Sequence, residues 1–138
     1  LIQRLLDAMH AGGADYTRAF RHLVDAVEPD IDDAELRGLF SEHAGLEAWL
    51  SDWRARLDAE GRDRAAVQAD LLAANPALIP RNHRVEQAIR AAEDHDDFSV
   101  FDRLRVAWKR PYDPAPEDAD LARPAALEER VTRTFCGT

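Results

Sequence analysis

Cysteine is nearly absent from this chain of 138 residues: one is present, Cys136, third from the last position. No disulfide can form within the chain, and a thiol without an internal partner suits a reducing compartment, so a cytoplasmic setting is expected. Basic residues are scarce beside acidic ones, 18 against 27, and the formal net charge is −9 at pH 7. No basic cluster interrupts that excess, which argues against nucleic-acid and anionic-membrane partners, because both need a concentrated positive face. Long hydrophobic runs are missing as well. The apolar stretches extend over a few residues, as at residues 77–80, far short of the ~20 that span a bilayer, and no segment resembles a cleavable leader.

Catalytic signatures are equally thin. Serine occurs only at Ser41, Ser51 and Ser99, none of them in the strand-turn-helix setting of a hydrolase nucleophile. Of the five histidines, none stands at helical ligand spacing from another histidine or from the cysteine, so a zinc site is not expected. The acidic stretches at residues 28–35 and 92–98 lack calcium-loop spacing and read as solvated helix caps. Gly12 and Gly13, before a capped helix, read as a turn rather than a phosphate cradle. The residues thus nominate no catalytic, metal-ligating or cofactor-binding side chain in this chain.

What is present is helical rhythm. Ile2, Leu5, Leu6 and Met9 recur at i, i+3, i+4, i+7 from the first residues, as though the chain opened inside a longer helical protein. Asp15 is placed to cap a helix carrying Phe20, Leu23, Val24 and Val27 and ending at Pro29. Asp32 or Asp33 introduces a shorter helix through Leu36, Leu39 and Phe40. The strongest pattern follows: Leu46, Trp49, Leu50, Trp53 and Leu57 share one face, with Gly61 at the C-terminal glycine position. One turn apart, the two tryptophans read as core aromatics rather than a stacking platform. Asp63 caps a helix with Val67, Leu71 and Leu72 facing inward, stopped by Asn75 and Pro76. Asn82 caps the next, with Val85, Ala88, Ile89 and Ala92 inward, and a last helix sets Phe101, Leu104 and Trp108 on one face before Pro111.

Four of the seven prolines fall in residues 111–124, so this stretch is expected to be irregular and extended, and the alternation of Val131, Arg133 and Phe135 suggests a strand-like strip. The expected fold is all-α: an irregular helical bundle over residues 1–110 and a proline-rich extended tail over residues 111–138. At 46% hydrophobic residues the chain can close a core.

Four ordered stretches resemble the C-terminal region of the SelO family, also called YdiU proteins. They are Asp15, Tyr16, Thr17, Phe20 and Arg21; the Trp49 and Trp53 rhythm; Asn75, Pro76, Arg81, Asn82, Asp97, Phe98 and Ser99; and Pro111 and Tyr112 followed by the tail with Cys136. The chain departs from the family pattern at Pro80, Leu127, Gly137 and Thr138. The resemblance implies a larger kinase-fold protein that transfers AMP from ATP, with Mg²⁺, to serine, threonine or tyrosine hydroxyls of target proteins. It also implies that the ATP-binding and metal-binding residues lie upstream, with none mapping onto this chain, and that the matched residues here are structural.

The implied partners are the upstream kinase-like part of the same polypeptide, against which the face of Ile2, Leu5, Leu6 and Met9 is expected to pack, and the protein substrates of the whole. In the family a terminal cysteine is associated with redox behaviour, which makes Cys136 the redox candidate. The alternative is a stand-alone acidic helical module that binds another protein.

Overall fold

The computed structural model describes residues 1–133. Among these residues all regular structure is helical and no strand forms. The helices gather into two compact units, one spanning Leu1–Pro76 and a second that starts at Ala77.

In the first unit, α1 (Ile2–Gly12) buries Leu5, Ala8, Met9 and Gly12. That is the spacing of one helical face, and it packs along α4 (Ala44–Glu60). The expected outward-packing face is therefore largely spent inside the unit: Leu5 and Met9 are core residues, while Ile2 stays 76% exposed. Gly12 sits so close to Phe40 that an added Cβ would lie 2.8 Å from its ring. Gly13, with φ 65°, then ends the helix in the left-handed conformation that glycine adopts without steric cost.

The second helix, α2 (Tyr16–His22), starts as expected, with the Asp15 carboxylate accepting from the Arg18 amide at 3.0 Å. It stops at His22 rather than at Pro29. Beyond it the backbone tightens into i to i+3 turns, Asp25 to His22 and Ala26 to Leu23. Two carbonyls freed by this change are taken by distant side chains: Arg54 Nε donates to Ala26 at 2.9 Å and Gln68 Nε2 to Val24 at 3.4 Å. Leu23, Ala26 and Val27 are buried beyond the end of the helix.

A single turn, α3 (Ala34–Arg37), inserts the fully buried Leu36. The long α4 contributes Leu46, Trp49, Leu50 and Leu57 to the interior and ends at Gly61, φ 63°. Trp49 is 4% exposed, donates its Nε1 to the Leu1 carbonyl at 3.0 Å, and stacks on the half-buried Trp53 with centroids 5.1 Å apart. Both rings pack on core clusters, as their spacing suggested. The fifth helix, α5 (Arg64–Ala74), is capped by Asp63, which accepts from the Ala66 amide at 3.1 Å.

The second unit holds the hairpin of α6 (Asn82–His95) and α7 (Ser99–Ala107). Asn82 is the first residue of α6 and Arg81 its cap, one position earlier than the sequence suggests. Two 3₁₀-helices follow, Pro116–Ala122 and Leu127–Glu129, separated by extended residues at Arg123 and Ala126. Proline opens the first of them and Glu117 and Asp118 occupy its first turn, the chemistry a helical N-terminus favours. The proline-rich stretch is irregular, yet it is anchored. Leu121 joins Leu78, Ala88, Leu104 and Ala107 in the core, and the Pro111 carbonyl accepts from the Ala77 and Leu78 amides at 2.8 and 3.0 Å. Arg130 is extended, but no strand pairing forms there among the described residues.

Candidate functional site

Apart from Trp49 and Trp53, which pack in the core from the middle of α4, several residues that carry the resemblance stand at helix ends and hydrogen-bond there. Asp15 caps α2, and Tyr16 and Phe20 lie ring against ring at 4.7 Å on its first turns. Arg21 reaches across to α5, where its Nη1 donates to the carbonyls of Leu72 and Asn75 at 3.1 and 3.0 Å. Asn75 Nδ2 donates to Leu71 at 2.9 Å, so the carbonyls of Leu71 and Leu72 in the last turn of α5 have donors before Pro76 interrupts the chain. Asp97 accepts from the Ser99 amide at 2.9 Å and thereby starts α7. Hydrogen bonds from the Ser99 hydroxyl and then from its amide hold the Asp97 carboxyl below the ordinary value.

Two groups of neighbouring carboxylates are held by arginines. Burial acts to raise the Asp33 carboxyl, but hydrogen bonds and charge from Arg37 (2.5 Å) and Arg54 (3.3 Å) outweigh it and leave the group below its usual range. Arg37 also pairs with Glu47. In the second unit Arg103 donates to Asp120 at 2.5 Å and to the Glu117 carbonyl at 2.8 Å, and lies 3.4 Å from the buried Asp118. The Arg103 hydrogen bond in turn lowers the Asp120 carboxyl. A carboxylate whose lone pairs already face guanidinium groups is a poor magnesium ligand. Among the described residues no cluster of three or more His, Cys, Asp or Glu side chains is placed to hold a metal ion.

One cleft of about 430 Å³ contains polar groups with shifted titration. It lies between α6 and the residues after the second 3₁₀-helix, lined by His83, Glu86, Arg90, Glu129, Arg130 and Arg133 among others. His83 is 4% exposed and its Nε2 has no hydrogen-bonding partner among the described residues. Burial pushes this imidazole below its ordinary value and the adjacent Arg84 charge adds to the shift. Glu129 goes the other way in function: hydrogen bonds from Arg123 (2.6 Å) and the Ala126 amide (2.8 Å) bring it down to about 2. Glu86 is paired with Arg90 at 2.8 Å. The cleft therefore presents a buried imidazole near the Glu129 carboxylate, which Arg123 and the Ala126 amide hold in its charged form.

Sequence reasoning does not single out His83 from the other histidines; nothing beside it distinguishes it from the exposed His95. Cys136, the redox candidate, lies outside the described residues.

A model of the family "Protein adenylyltransferase SelO" matches residues 1–109. The chain belongs to the SelO family. A protein nucleotidyltransferase YdiU of Bradyrhizobium sp. (strain BTAi1 / ATCC BAA-1182) is 46% identical over 138 residues, which make up 100% of this chain and 28% of that protein. Proteins of the same name from Rhizobium meliloti (strain 1021) and Rhodopseudomonas palustris (strain BisB5) are 46% and 47% identical over the same spans. The chain thus spans 28% of the length of these curated SelO-family relatives. No described helix is long and apolar enough to cross a membrane.

Proposed function

We propose that the chain is the C-terminal, non-catalytic helical region of a SelO-type protein adenylyltransferase that transfers AMP from ATP, with Mg²⁺, to Ser, Thr or Tyr hydroxyls of target proteins in the cytoplasm. The observation that carries this reading is the use made of the family-like residues: Asp15, Arg21, Asn75 and Asp97 spend their polar groups on helix ends. Side chains committed in this way build a scaffold and leave phosphate binding and metal binding to the upstream kinase-like part. In that division of labour residues 1–110 are the helical domain, and residues 111–138 are the tail that brings Cys136 to the catalytic part.

Incubated with labelled ATP, Mg²⁺ and an acceptor protein, the 138-residue chain transfers no label, whereas the longer polypeptide does. Saturable transfer by the short chain, abolished by a chelator, overturns the reading. The tail's role is tested separately, by comparing AMP transfer by the longer polypeptide under oxidising and reducing conditions, with and without Cys136→Ser. A redox dependence lost in the serine variant supports a regulatory thiol. An unchanged dependence, or none in either protein, removes it.

A further inference from the structure

The hairpin of α6 and α7 leaves an open apolar groove of about 290 Å³ on its surface. Val85, Ile89 and Ala92 on one side and Phe98, Phe101 and Trp108 on the other form most of its walls. Ile89, Phe98 and Phe101 are 45%, 56% and 53% exposed, although two of them occupy positions whose periodicity marks them as inward. Three large apolar side chains lining one groove in an otherwise charged chain mark an interaction surface.

The surroundings of the groove select its occupant. Glu93, Asp94, Asp96, Asp97 and Asp102 crowd the turn between the two helices and the start of α7, all of them exposed. Asp102 is paired with Arg105, while among the described residues no ion pair is found for Glu93, Asp94 or Asp96. A second copy would bring an equal set of acids and another net charge of −9 to the same place, so pairing through this face is electrostatically opposed. A helix that lays apolar residues into the groove and basic residues against its acidic end meets both requirements. The family match includes both helices of the groove, and the relatives extend over more than three times the length of this chain, so most of such a polypeptide lies elsewhere in the sequence.

We propose that the α6–α7 groove receives a basic amphipathic helix from the part of the SelO-type polypeptide outside this chain. This rests on the reading of the chain as a region of a larger protein, but not on that protein's catalytic activity. Contact between helix and groove ties the orientation of the second unit to the remainder of the molecule.

Hydroxyl-radical footprinting compares Phe98 and Phe101 in the 138-residue chain and in the longer polypeptide. Oxidation of both rings is expected to fall by roughly tenfold or more in the longer protein. The double substitution Glu93→Lys with Asp94→Lys, at exposed helix positions, restores much of the oxidation while leaving the helical circular dichroism unchanged. A photo-crosslinker replacing Ile89 then identifies the occupant. Capture of a basic segment from outside residues 1–138 of the same polypeptide supports the proposal. Capture of a second copy, capture of another part of residues 1–138, or equal oxidation in the two proteins overturns it. AMP transfer measured on the same preparations separates the two readings, because an inactive protein with a protected groove contradicts the proposed function and leaves the docking site standing.

Discussion

The two units of this chain hold themselves together differently. The first encloses large apolar side chains: Leu36, Leu46, Leu50 and Val27 are at most 1% exposed, with Trp49 beside them. The second has a smaller core in which two of five residues are alanine, and it gains its definition from polar ties, with Arg103 and Arg84 converging on Asp120. At the same time it leaves three large apolar residues in an open groove. A unit with little interior and an exposed apolar face is suited to completion by another segment. The first unit is suited to folding by burial alone.

That contrast is broken most directly at Trp49. Trp49→Ala is expected to destabilise the first unit by roughly 3–5 kcal/mol, since it empties a buried volume and leaves the Leu1 carbonyl with the Leu5 amide as its one remaining donor among the described residues. Trp53→Ala, at the half-buried ring, costs less than half as much. Denaturant unfolding of the two variants measures the difference, and equal losses would show that the stack acts as one buried unit.

A smaller effect is expected at Gly12. Gly12→Ala forces its new methyl against Phe40 and costs about 1–3 kcal/mol, read as a lowered unfolding midpoint. Gly12→Ala combined with Phe40→Leu recovers part of the loss if the clash is the cause.

In the second unit, Arg103→Met retains the aliphatic stem and removes the ties to Asp118, Asp120 and the Glu117 carbonyl. The side chain is 45% exposed, so solvent screens these pairs and the expected loss is about 1 kcal/mol, smaller at high salt. A loss as large as that of Trp49→Ala would mean that the polar ties bear the stability of this unit as fully as burial does that of the first.

Much of this architecture is legible from residue chemistry. Asp15 and Asp63 cap their helices, Gly61 ends α4, and Asn75 with Pro76 ends α5, because each of these preferences is local. The early end of α2 is not legible. It depends on Arg54 and Gln68, 28 and 44 residues away, supplying donors to carbonyls that leave the helix. The groove escaped for another reason: apolar periodicity at Ile89 and Phe101 states that a face exists and not what covers it. The 3₁₀-helix at Pro116–Ala122 had a usable signal in its proline followed by two acids, overshadowed by the prolines around it. His83 carries no such signal, since its burial is created by tertiary packing beside the tail.

The smallest effect belongs to His83, and it turns the comparison between units into one of pH. Its folded imidazole titrates below the ordinary value, chiefly because burial disfavours the charged form. Between the folded and unfolded values the unfolded chain binds more protons, so stability rises with pH across that window. The contribution is present above the unfolded value of about 6.5 and is lost as pH falls through the window toward the folded value. Acidification from pH 7 to 5 is therefore expected to loosen the second unit first. Histidine ring resonances followed by NMR show His83 protonating below the ordinary histidine value, accompanied by faster amide exchange in α6 and in the second 3₁₀-helix. In His83→Gln, which retains a polar group without a proton to gain, that acid-induced acceleration disappears. If His83 titrates at the ordinary histidine value, or if the glutamine variant loosens equally on acidification, burial of the imidazole does not set the acid limit of this unit.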